Sequence, residues 1–144
     1  MTTDNLAERD ISLMAMMREA NQTSRQHGWY DDGMERTFGD LCSLFTSEIS
    51  EAFEEHRDGH DLTEIYYKCE NCGEESNSPV AVRHLNAFCK PSDVKPEGVP
   101  IELADLLIRV GDTVVAEDIP IVRALQIKMN YNVDRAYRHG GKRL

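Results

Sequence analysis

The sequence predicts an all-α fold: a four-helix bundle with a long, loop-like insert between its second and third helices. Three observations carry this expectation. Apolar residues recur at helical spacing in four separate segments. Helix breakers concentrate in residues 60–99, which hold three of the five prolines and three of the four cysteines. No pair of alternating apolar segments announces a hairpin. The 144 residues suit a single domain, 1–144, long enough to bury a core.

The first helix is expected from about Leu6 to Gln26, with Leu6, Leu13, Met14, Met17 and Ala20 at helical spacing and Gly28 as its stop. The second is expected from about Glu35 to Arg57, ending at Asp58-Gly59, with Cys42 as a small residue of its core face. The third begins around Pro100 and runs to about Glu117. Asp118 is placed to cap the fourth, with Pro120 in its first turn and Tyr131 near its end.

The formal charge is −10, so most of the surface repels nucleic acid and anionic membrane. An anionic small molecule would need a local basic patch or a bridging cation. No apolar run reaches the length of a bilayer span. Met1–Asn5 lacks the basic-then-apolar layout of a secretory signal, so a cytoplasmic setting is expected.

The carboxylates of two helices stand where a solvated helix would not put them. On a wheel of the second helix, Leu44, Leu41, Ala52, Phe45, Phe38, Ile49, Cys42 and Phe53 form one broad apolar arc. Glu48 and Glu55 fall inside that arc and Glu51 lies at its edge, whereas glutamates normally oppose the apolar face. On the third helix, apolar residues cover well over half the circumference, which predicts a largely buried helix. Glu102, Asp105, Arg109 and Asp112 share the remaining stripe. Carboxylates gathered in a partly buried place repel one another unless they take up protons or a cation. Oxygen-only ligation suits Mg²⁺ or Mn²⁺, and Mg²⁺ commonly also binds substrate phosphates. A di-iron carboxylate bundle would need Glu-x-x-His pairs, and none of the five histidines lies three residues after a glutamate.

Glu48-x-x-Glu51 followed by Glu102-x-x-Asp105 resembles the signature of the MazG-like, all-α nucleoside triphosphate pyrophosphohydrolases. Arg36-Thr37-Phe38-Gly39-Asp40, Ser47 to Ala52, Lys95 to Pro100, and the tail from Lys128 to Arg143 are similar to flanking words of that family. The likeness covers most of the chain from about residue 27, apart from the insert. It implies a MazG-like bundle assembled as a homodimer or homotetramer. It also implies Mg²⁺-dependent hydrolysis of a nucleoside or deoxynucleoside triphosphate to the monophosphate and pyrophosphate. Carried over by position, Glu48, Glu51, Glu102 and Asp105 are the metal ligands. Glu51 is the candidate to orient or deprotonate the attacking water. Lys128, Asn132, Arg135 and Tyr137 in the basic tail become substrate contacts, although composition by itself favours a solvated tail. Two departures stand out. Ser47 occupies a position where many members carry a further glutamate, so either fewer metals bind or another carboxylate such as Glu55 compensates. The motifs are also set far apart by the insert. Trp29 and Tyr30 are expected in a core or interface role more than stacked on a base.

Within the insert, Cys69, Cys72, His84 and Cys89 form the pattern C-x₂-C-x₁₁-H-x₄-C. Such a set suits a closed, tetrahedral, structural Zn²⁺ site, with His60 as an alternative fourth ligand. Thiols in a surface loop, or a redox pair at Cys69 and Cys72, remain open on spacing. Two non-catalytic readings compete with the hydrolase: a zinc-knuckle helical adaptor, and a nucleotide-binding sensor on the same fold.

Overall fold

Serine and threonine caps set where the first two helices begin. In the computed structural model, which describes residues 12–31, 33, 36–82 and 88–133, α1 spans Leu13–Gln26 and Ser12 caps it, its side chain accepting from Ala15 N–H. The stretch from Leu6 lies outside the described residues. Gly28 follows the helix with a left-handed φ of 78°, the conformation that ends helices at least cost in glycine. α2 spans Phe38–Arg57 and starts later than expected because Thr37-x-x-Asp40 closes a capping box. Thr37 N–H donates to Asp40 Oδ2 at 2.8 Å, and Asp40 N–H to Thr37 Oγ1 at 3.2 Å.

The insert is not a loop throughout. β1 (Tyr66–Cys69), β2 (Glu75–Ser76) and β3 (Val94–Glu97) make a three-stranded antiparallel sheet in the order β2-β1-β3. Cys69 pairs with Val94 and Tyr66 with Glu97, so β3 runs back along the whole of β1. The all-α expectation is corrected to mostly helical with a small sheet. Strands of two to four residues give too short an alternation to rise above the irregular sequence around them. Pro96 is tolerated because β3 is an edge strand, where a missing N–H breaks nothing on the outer side. A 3₁₀ turn, Pro91–Asp93, leads into β3.

Gly98 turns the chain from β3 into α3 (Val99–Ala116). Its φ is 113°, and a Cβ there would strike the Glu64 carbonyl oxygen. Pro100 sits in the first turn of α3, where a missing N–H is harmless. α4 spans Ile121–Val133. Asp118 does not cap it: the residue takes a left-handed φ of 50° in the connecting turn, and the helix starts three residues later.

The residues group into two compact units. One comprises Tyr30–Val110 and so contains α2, the sheet and most of α3. The other comprises the chain up to Trp29 together with Gly111–Leu144. In this second unit Met17 and Asn21 of α1 are buried against the end of α3. Asn21 Nδ2 donates to Asp112 Oδ1 at 2.7 Å, and Gly111 leaves room for Met17, which a Cβ would meet at 2.9 Å.

Two burial expectations are overturned. Cys42 is exposed, and with Phe38, Ile49 and Phe53 it forms a solvent-facing stripe on α2. α3 is not largely buried either, since Leu103, Leu107 and Ile108 are exposed. Among the described residues, no helix is long and apolar enough to cross a membrane.

Candidate functional site

Helical spacing turns the acidic residues of α2 toward the start of α3. Glu48 and Glu51 are one turn apart on α2, and Glu102 lies in the first turn of α3. Carboxylate oxygens of these three all lie within 4.8 Å of one another. Glu48 and Glu102 are buried at 2% and 6% exposure, and Glu51 is exposed. The whole group belongs to the Tyr30–Val110 unit. Asp105, the fourth expected ligand, is not one of the three whose oxygens converge. It stands one turn along α3, half-buried, close enough to Glu48 and Arg109 to feel both charges.

The electrostatics follow from this crowding. Burial, and then the charges of Glu51, Glu97, Asp105 and Glu48, push the Glu102 carboxyl up to about 7. Asp105 is raised as well, by burial first and the Glu48 charge second, with the Arg109 guanidinium pulling the other way. Arg109 Nε lies 2.6 Å from Glu48 Oε1 and supplies the positive charge nearest that buried carboxylate. Ser47 Oγ lies 2.8 Å from the Leu44 carbonyl oxygen and 3.3 Å from Glu48 Oε1, so Ser47 is a polar neighbour of the buried Glu48 carboxylate.

Glu55, one turn beyond Glu51, serves another purpose. The buried Tyr66 hydroxyl donates to its carboxylate at 3.0 Å, tying the end of α2 to the start of β1. Burial and this hydrogen bond hold the Tyr66 phenol protonated, well above its ordinary value. His60 stacks on Tyr66 with ring centroids 4.4 Å apart, and its Nδ1 lies 3.1 Å from Glu64 Oε2. His60 is therefore committed to this end of β1 and is not part of the thiol group at the other end.

Sequence reasoning missed two site residues, Lys95 and Glu97. Glu97 is buried at the end of β3 and its charge acts on both Glu102 and Asp105. Lys95 Nζ lies 3.0 Å from Glu97 and 3.4 Å from Glu70, and these hydrogen bonds raise its pKa. The signal available was the glutamate just before the Gly98-Val99-Pro100 helix start, five residues ahead of Glu102.

Cys69, Cys72 and Cys89 form a second convergence, with their sulfurs within 4.8 Å of one another. Cys69 is fully buried, and none of the four cysteines is in a disulfide. His84 lies outside the described residues. On α4, Lys128 and Asn132 are both exposed, with Lys128 Nζ 5.0 Å from the centre of the Tyr131 ring. Arg135 and Tyr137 lie outside the described residues. Trp29 and Tyr30 are exposed, not core residues.

Comparison with protein-family models, with curated proteins and with solved structures found no match.

Proposed function

We propose that this protein is a Mg²⁺-dependent pyrophosphohydrolase that splits a nucleoside or deoxynucleoside triphosphate into the monophosphate and pyrophosphate. One observation carries the reading: two buried glutamates and an exposed one, from two helices, hold their oxygens within 4.8 Å of one another. Like charges at that separation in a partly dry place are relieved by a proton, as on Glu102, or by a cation that displaces it. The donors are all hard oxygens, which fits Mg²⁺ or Mn²⁺, whereas the sulfur donors of the three cysteines do not. Glu48, Glu51 and Glu102 would hold the ion, with Asp105 joining from the next turn of α3. When bound, it neutralises phosphate charge and makes the phosphorus easier to attack.

The chain's own residues supply the rest. Glu51, the exposed member, takes the proton from the attacking water at a carboxylate oxygen. Arg109, beside Glu48, and Lys95, beside Glu97, are cations suited to the phosphate chain. Lys128, Asn132, Arg135 and Tyr137 are the further substrate contacts that the MazG-like resemblance implies. The same resemblance supports a homodimer or homotetramer, and the solvent-facing stripe of Phe38, Ile49 and Phe53 on α2 is of the kind that a second copy covers.

The test is release of pyrophosphate by the purified chain from canonical and modified ribo- and deoxyribonucleoside triphosphates, with Mg²⁺ or with chelator. Mg²⁺-dependent release, lost in Glu51→Gln with the fold retained, supports the reading. Tight triphosphate binding without any release makes the protein a sensor, and no binding at all leaves the adaptor.

A further inference from the structure

We infer that Cys69, Cys72 and Cys89 form a structural Zn²⁺ site that holds together the sheet and, through it, the start of α3. The chain builds this site from two segments that are distant in sequence and joined by strand pairing. Cys69 is the last residue of β1, and Cys72 lies in the turn to β2. That turn is closed by Gly73, whose N–H donates to the Cys69 carbonyl at 2.8 Å and whose φ of 76° suits glycine. Cys89 arrives on the segment leading through the 3₁₀ turn to Val94, the residue paired with Cys69. Glu70 N–H donates to the Asp93 carbonyl at 2.8 Å and binds the two segments beside the thiols.

The ligand chemistry selects the ion. Three sulfurs within 4.8 Å of one another would repel as thiolates unless a cation lay among them. Thiolates prefer Zn²⁺ to Mg²⁺ or Ca²⁺, and one tetrahedral position remains for a fourth donor. Cys42, the fourth cysteine, is exposed on α2 and is not one of the three that converge, so the chain does not gather the four thiolates of an iron–sulfur cluster.

The sheet also needs such a clasp. Its strands, of four, two and four residues, are short and offer little area to bury. Among the described residues from 60 to 97, the buried apolar side chains are Tyr66, Cys69 and Val82. A metal closing one end of the sheet replaces a missing core. β3 then passes directly from the clasp to Lys95, Glu97 and Gly98, so the ion fixes where α3 begins.

The test needs no activity measurement and stands apart from the hydrolase reading. The full chain, purified under reducing conditions without a metal-binding tag, should carry one zinc per chain by elemental analysis. Cys42→Ser should keep it. Cys69→Ser, Cys72→Ser and Cys89→Ser should each lose it. Should those variants fail to fold, Co²⁺ added to the metal-stripped natural chain should give sulfur-to-cobalt charge-transfer absorption and the visible bands of a tetrahedral ion. Zinc removal should raise amide hydrogen exchange in β1 and β3 while leaving α4 unchanged. A chain that carries no zinc, gives no such cobalt spectrum and exposes all its thiols to a thiol reagent while folded would overturn the proposal. So would loss of zinc in Cys42→Ser equal to that in the other three.

Discussion

Raising the pH should loosen the metal-free protein through one side chain, and magnesium should reverse the effect. Glu102 is 6% exposed, and burial with its acidic neighbours pushes its carboxyl up to about 7 from an ordinary 4.5. Between those values the folded chain holds a proton that the unfolded chain has already released. This group's stabilising contribution is therefore complete below the unfolded value and is lost as the pH rises through 7. The sign is opposite to that of a salt-bridged carboxylate. The shift is worth at most about 3 kcal/mol, or roughly 10 °C in melting midpoint for a chain of this length. Glu102→Gln cannot ionise, so its midpoint should change less over the same range. A divalent ion competes with the proton, so Mg²⁺ should raise the midpoint of the natural chain more at about pH 8 than at about pH 6. Thermal melts of both proteins, with Mg²⁺ omitted or added, read all four quantities. Equal pH slopes in the two proteins, or a Mg²⁺ shift at the lower pH as large as at the higher, would refute the reasoning.

Three other outcomes are expected. Arg109→Ala removes the guanidinium 2.6 Å from the buried Glu48. It should cost about 3 kcal/mol in metal-free urea unfolding, and Mg²⁺ should restore more stability to the variant than to the natural chain. Gly98→Ala places a Cβ against the Glu64 carbonyl oxygen at a left-handed φ, so it should cost at least about 2 kcal/mol; unchanged unfolding would show that this turn is not constrained. Phe53→Asp alters a side chain that is 59% exposed. The variant should therefore stay folded while sedimentation shows a shift from assembled to single copies, whereas an unchanged sedimentation profile would remove α2 as the interface.

Much of the acidic site was legible because helical periodicity is strict. Glu48, Glu51 and Glu102 could be placed on one side of their helices from spacing alone, and the structure brings their oxygens together. Asp105 was expected in the same group on the same logic, but a turn further along α3 carries it out of the convergence. Glu55 showed the limit of the wheel: it falls on the ligand face, yet its partner is Tyr66, from a strand that period-two alternation was too short to reveal. Glu97 and Lys95 were hidden for the same reason. Cys42 and the apolar arc of α2 erred differently, since a wheel identifies an apolar face without saying whether this chain or another molecule covers it.

What the sequence determined by itself is local: which segments are helical, which residues share a helix face, and that hard oxygen donors and soft sulfur donors sit in separate segments. Those properties depend on neighbours within a few residues, through caps, periodicity and the chemistry of each side chain. Tertiary structure alone decided that β3 lies along β1. That pairing delivers Cys89 to Cys69 and sets Gly98 against Glu64. Contacts between residues so far apart depend on which segments close a loop on one another, and no short window of sequence contains that information.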